Sequence, residues 1–288
     1  MRYFDAHTHV QFKAFESDHE EVIGRALAAG VGMVNVGTQE TTSARAVELA
    51  HKYENLYAAV GLHPIHTSAS YHDSDELGDT PEAKGFTSRG EEFNYGYYKG
   101  LALDPKTVAI GECGLDYFRL EGDVRKLKES QKTAFLSQVK LAAEVGKPLM
   151  IHARPSKGTD DTYEDLLGIL KDAGFRGKVI FHFYAGSPEM AEKLLAAPFG
   201  NETYFTFGGV ITFVRDYDKV VKLIPPERIL TETDAPYVTP APYRGKRNEP
   251  VYVIEVVKKL AEIKNIPEEE MRKQILENAE RVFGIGIS

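Results

Sequence analysis

Six residues of metal-ligand type stand at the ends of apolar, β-forming segments. His7 and His9 close "RYFDAHTHV", Glu112 lies in "TVAIGECGL", and His152 lies in "KPLMIHA". His182 follows in "KVIFHFY" and Asp234 closes "RILTETD". Side chains alternate faces along a strand, so His7 and His9 point the same way and can reach one cation. Taken singly, each residue has a plainer use, as a satisfied core histidine or a structural ion-pair member. Taken together, four imidazoles and two carboxylates are costly to bury unless they pair or bind metal. Mixed nitrogen and oxygen donors suit Zn, Mn, Fe or Ni, with Mg where oxygen ligands dominate. Six protein ligands exceed the three that a single catalytic zinc takes. The set therefore predicts two divalent metal ions (Mg, Mn or Zn), with Glu112 placed to bridge them.

This convergence requires a fold that brings strand ends to one point. Eight strand candidates alternate with helical stretches: "RYFDAHTHV", "VGMVNVG", "LYAAVGL", "TVAIGECGL", "KPLMIHA", "KVIFHFY", "TYFTFGG" and "RILTETD". Helical spacing covers 21–29, 42–53, 124–145, 162–172, 189–196 and 217–223, then 251–264 and 267–283 after the last strand. Strands alternating with helices imply a parallel sheet. Eight of them in 288 residues predict a single α/β domain over residues 1–288, a (β/α)8 TIM-type barrel whose active site lies at the C-terminal ends of its strands. One stretch breaks the rhythm. Residues 65–106, rich in Gly, Ser, Tyr and acidic residues, read as a long loop insertion after the third strand, over that face and shaping substrate access.

Composition narrows the partners. A net charge of −8 argues against a broad basic face for duplex DNA, since non-specific affinity comes from Lys and Arg neutralising phosphates. No apolar run approaches the ~20 residues of a membrane span, and no basic start with an apolar stretch marks a signal peptide. Cys113 is the sole cysteine, so no internal disulfide forms, and a reducing, cytoplasmic location is the simpler expectation. No membrane association and no obligate protein partner is evident.

Two metals can clamp the attacking and leaving oxygens of an in-line displacement and acidify a bound water. Asp234 and Glu112 are the catalytic candidates: Asp234 to ligate a metal and orient or deprotonate that water, Glu112 to hold the ions' spacing. His63, in "GLHP", and Arg154, with a planar fork suited to phosphate, are candidates for substrate. So are Arg244, in the basic cluster with Lys246 and Arg247, and Asn248, which also reads as a helix N-cap. Glu232 and Asp116 read either as partners of the ligands or as structural acids, and Tyr117 and Phe118 either as base-stacking or as loop packing. Alternation from Glu112 sends Cys113 to the other face, as packing.

The motifs "DAHTHV", "GLHP", "AIGECGLDY", "IHAR", "FHFYAG", "TETDAPY", "YRGKRNEP" and "NAERVFG", in this order over nearly the whole chain, resemble those of the TatD-type metal-dependent deoxyribonucleases, a branch of the amidohydrolase-like barrels. The resemblance implies a metal-dependent hydrolase, a 3′→5′ exodeoxyribonuclease acting on DNA ends or single-stranded DNA. It implies metal-ligand roles for His7, His9, Glu112, His152, His182 and Asp234. The chain departs from the family pattern at Phe183–Gly186 and at Pro155, and in the length of 65–106. An alternative keeps the metals and changes the bond: an amidohydrolase-like esterase or amidase, for example a deacylase of aminoacyl-tRNA. A carboxylate at position 112, where many amidohydrolases bridge with a carboxylated lysine, favours the nuclease branch.

Overall fold

In the computed structural model, which describes residues 1–69, 71–72, 86–88, 90–199 and 202–286, all eight sequence-predicted strands form. They are β1 (Tyr3–Thr8), β2 (Val31–Val36), β3 (Leu56–Val60), β6 (Thr107–Asp116), β7 (Leu149–Arg154), β8 (Val179–Phe181), β9 (Thr203–Phe207) and β10 (Ile229–Thr231). Each pairs in parallel with the next, in that order. Helices lie between them, and two more, Val253–Lys264 and Glu268–Phe283, follow β10. The circle closes just beyond β10: the Asp234 amide donates to the His7 carbonyl at 2.9 Å and the His9 amide to the Ala235 carbonyl at 2.9 Å. Among the described residues, no helix is long and apolar enough to cross a membrane.

The barrel is filled, not hollow. Phe4 and Ala6 of β1 pack with Val34, Val36, Ala59, Ala109, Met150, Ile180, Tyr204 and Leu230 from the other strands, all fully buried. The last helix plugs the bottom with Ala279, Val282 and Phe283, the Phe283 ring 5.6 Å from Phe4. Residues of the other parity, such as Met33, Ala58, Ile151 and Phe205, meet the surrounding helices. Each large buried apolar side chain contributes about 1.5–3 kcal/mol, so the two layers fix the frame on which the strand ends stand.

Alternation alone does not place the polar residues. Counting in twos from the inward Ala109 would send Cys113 inward and Glu112 out. A register irregularity between Ile110 and Cys113 reverses this, and Cys113 joins the outer layer with its thiol directed at the Met150 carbonyl. A similar shift in β1 between Asp5 and Thr8 turns His7 inward directly after the inward Ala6. Such irregularities re-aim side chains beside functional sites.

The 65–106 stretch is not one continuous loop. Its end, Tyr95–Ala102, is the regular helix that joins β3 to β6, with Tyr98 and Ala102 buried and the Asn94 side chain accepting from the Tyr97 amide at 3.2 Å. Two glycines and three tyrosines in "YGYYKGLA" hide that helix, because both types are weak helix formers. A short helical turn, Pro64–Thr67, and an antiparallel pair of two-residue strands, β4 (Tyr71–His72) and β5 (Phe86–Thr87), precede it. Residues 73–85 lie outside the described residues, and with them the core of the expectation about substrate access.

Candidate metal centre

The carboxylate of Glu112 stands at the centre of the strand ends, and its two oxygens face different histidines. Oε2 lies 3.4 Å from His7 Nε2 and 3.8 Å from His9 Nε2. Oε1 lies 3.2 Å from His63 Nε2, 3.0 Å from His152 Nδ1 and 2.9 Å from His182 Nε2. Asp234 joins the first set, with Oδ1 3.8 Å from His7 Nε2 and 3.3 Å from His9 Nε2. The His7 and His9 Nε2 atoms approach to 3.1 Å, and the His7 and His182 rings stack at 3.8 Å. All six sequence-predicted ligands thus meet in one place. Three groups of donor atoms within it are compact enough to hold an ion: His7 with His9 and Asp234, His7 with Glu112 and His182, and His63 with Glu112 and His152.

Outer contacts fix which atom three of the imidazoles present. His9 Nδ1 lies 2.7 Å from the Val36 carbonyl; a carbonyl only accepts, so Nδ1 carries hydrogen and Nε2 offers a lone pair. His152 is held at Nε2 by Asp116, 2.9 Å away, leaving Nδ1 for the centre. His182 is held at Nδ1 by Glu232 at 3.4 Å, leaving Nε2; Glu232 in turn accepts from the Thr206 hydroxyl at 2.5 Å. Carboxylates and carbonyls behind ligating histidines orient the ring and set the tautomer in metal sites. The donors therefore fit divalent ions: lone pairs converge, and His9, His152 and His182 are backed, while the Nδ1 of His7 is buried without a hydrogen-bond partner among the described residues.

His63 differs. Its Nδ1 accepts from the Ile65 amide at 3.2 Å, capping the turn Pro64–Thr67. In the neutral ring Nε2 then carries the hydrogen, so His63 donates to Glu112 and offers no lone pair. The sequence expectation set His63 at the substrate; the structure sets it against the central carboxylate.

Charge follows from burial and neighbours. Burial, reinforced by His182, lowers the His7 pKa. Burial also pushes His63 down, to about 4, so it is neutral. Burial alone would raise Glu112, yet His63, His182 and His7 hold it well below the usual carboxylate range. Burial likewise opposes ionisation of Asp234, but the hydrogen bond from His9 and the nearby His7 keep it depressed. His182 is buried too, and Glu112 and Glu232 nevertheless raise it well above an ordinary histidine. Asp234 takes a left-handed backbone, φ 53°, costing about 1–3 kcal/mol for a non-glycine residue. The hydrogen bond that its amide donates to the His7 carbonyl holds that conformation.

Asp5, buried two residues before His7, is not in the cluster. It accepts from the His7 and Thr233 amides at 3.2 and 2.9 Å and from the Thr233 hydroxyl at 2.5 Å, tying β1 to the segment that carries Asp234. Its pKa is raised well above normal, by burial.

The expected substrate residues divide. The Arg154 guanidinium lies over the Phe118 ring, 4.0 Å from its centre, beside the cluster. Arg244 is exposed and covers Phe213 at 4.0 Å. Arg247 makes a two-pronged pair with Asp18, at 3.0 and 2.6 Å. Asn248 is fully buried, its amide donating to the Thr233 and Tyr237 carbonyls at 2.8 and 2.6 Å and its oxygen accepting from the Glu249 amide. This corrects the expectation that Asn248 reaches substrate: both donors already hold the loop. The Tyr117 hydroxyl donates to Asp165 at 2.7 Å, so Tyr117 packs.

Comparison with known proteins finds the family model described as "TatD related DNase" matching residues 4–284. The chain is 38% identical over 286 residues to the metal-dependent hydrolase YabD of Bacillus subtilis, covering 98% of this chain and 99% of that one. It is 31% identical over 296 residues to the 3′-5′ ssDNA/RNA exonuclease TatD of Citrobacter rodentium, covering 98% of each. Among solved structures it is similar to the TatD homologue YjjV of Escherichia coli, with a TM-score of 0.79, 28% identity and 99% of both chains covered.

Proposed function

Because this chain belongs to the TatD-related DNase family and is a metal-dependent hydrolase, we propose that it is a 3′→5′ exonuclease removing nucleotides from the ends of single-stranded DNA. The observation that carries the two-ion reading is the division of Glu112, one oxygen toward His7 and His9, the other toward His152 and His182. One ion would be held by His7, His9 and Asp234, a second by His152 and His182, with Glu112 shared between them. When bound, divalent ions acidify water and stabilise charge on phosphate oxygens.

The chain's own groups do the rest. Asp234, ionised and at the edge of the cluster, accepts the proton of the attacking water. The neutral His63 donates its Nε2 hydrogen to Glu112 and fixes that carboxylate's rotamer. Arg154, held over Phe118, orients a phosphate at the mouth. The Citrobacter relative, named as a ssDNA/RNA exonuclease, supports single-stranded ends as substrate, and so does the absence of a net basic charge.

The test is digestion of a 3′-end-labelled single-stranded oligonucleotide by metal-stripped protein, with Mg, Mn and Zn restored separately. Metal-dependent shortening that vanishes in His7→Ala supports the reading. Intact oligonucleotide in every metal, with ester release from aminoacyl-tRNA instead, would sink it in favour of the deacylase alternative.

A further inference from the structure

Beside the metal centre lies an open cavity of about 590 Å³ with Phe118, Arg119, Lys128, Ser156 and Lys157 in its wall. The wall comes from the two loops that leave the cluster. Tyr117 directly follows Asp116, and its amide donates to the Arg154 carbonyl at 2.8 Å; Ser156 and Lys157 follow Arg154 by two and three residues. The cavity wall therefore starts one residue beyond Asp116, the residue that holds His152.

Its chemistry is unlike that of the chain as a whole. The protein carries a net charge of −8, yet this wall presents three cations and no acid. Lys128 is steadied from behind, 3.4 Å from Asp161 and 3.7 Å from the centre of the Tyr117 ring. Arg119 and Lys157 are exposed. Phe118, partly exposed, has the guanidinium carbons of both Arg154 and Arg119 within 5.0 Å of its ring centre. Cations interleaved with an aromatic face, next to a hydrolytic centre, are the combination that grips a single strand through its phosphates while a base stacks.

We propose that this cavity binds the phosphodiester backbone of the strand beyond the scissile linkage, with Arg119, Lys128 and Lys157 on phosphates and Phe118 against a base. The inference rests on the nuclease reading and adds where the uncut strand runs. The site would let the protein hold the strand without a broad basic surface.

The experiment compares the metal-loaded protein with Arg119→Ala/Lys157→Ala on a dinucleotide and on a strand of ~12 nucleotides, a length within the range of single-strand sites. The readout is the ratio of kcat/KM, long over short, and its dependence on salt. In the parent, the long strand is favoured. In the double variant the ratio falls roughly tenfold, two exposed phosphate contacts at about a factor of three each. The loss appears in KM, and the slope of log KM against log salt drops by about 1.4, some 0.7 per contact. Lys157→Arg restores part of the ratio, which a purely structural lesion would not allow. A ratio and slope equal to the parent's, with the strand still shortened, overturn the cavity and leave the nuclease reading standing. Failure of the parent to shorten either substrate overturns both.

Discussion

His152 Nε2 sits 2.9 Å from Asp116 Oδ2 while His152 Nδ1 faces Glu112 at 3.0 Å. One ring thus joins the central carboxylate to a second, outer one. Asp116 and His152 come from neighbouring strands paired through Asp116↔Arg154 and Gly114↔His152, so the sheet ladder itself sets this contact. Asp116→Ala is expected to free the ring and lower the affinity for one ion about 10–100-fold with the other retained. Elemental analysis after dialysis at graded chelator concentrations checks it; a metal content equal to the parent's at every concentration would remove Asp116 from the site.

Asp234→Asn keeps the size of the side chain and removes its basicity. The variant is expected to fold with an unchanged melting profile and to lose hydrolysis by about 10²–10⁴-fold, the range for a lost general base. Full activity would reduce Asp234 to the segment that closes the barrel.

Gly114 has φ 135°, and a Cβ placed there would lie 2.0 Å from the His152 carbonyl oxygen. That oxygen is backbone and cannot swing aside. Gly114→Ala should therefore destabilise by at least about 2 kcal/mol, a fall of several degrees in thermal midpoint. An unchanged midpoint would mean that β6 and β7 can separate without penalty.

Asp18 is held below the usual carboxylate range, chiefly by its hydrogen bonds to Arg247. A depressed folded pKa adds stability above the unfolded value near 3.8, and that stability is lost as pH falls through the lower folded value. The pair is partly exposed, so screening limits it to no more than about 1 kcal/mol. Asp18→Asn should lower the melting temperature slightly at pH 7, with the difference vanishing once the pH falls below the depressed folded value of Asp18. A gap that persists in acid would assign the effect to packing.

The strands were legible because each is a β-branched or aromatic run bounded by turn residues, and the six clustered side chains were legible because each lies in the later part of such a run or directly after it. Two kinds of feature were not. The helix Tyr95–Ala102 escaped because tertiary burial of Tyr98, not propensity, makes it helical. The tautomers escaped because they depend on what stands behind each ring: nothing in "GLHP" says that the Ile65 amide takes His63 Nδ1. Asn248 misled for a related reason, since an amide in a polar loop looks available until both its donors are traced to carbonyls.

The barrel's seam has a consequence for how such a hydrolase is made. Asp5 grips Thr233, and the Asp234 amide reaches the His7 carbonyl, so the donor set is assembled from segments more than two hundred residues apart in the chain. A growing polypeptide presents His7 and His9 well before Asp234, which joins them only after the eight strands have been synthesised and the ring has shut. The full donor set is thereby withheld until the segment after β10 has been made, and a fragment ending before Asp234 lacks one of its carboxylates.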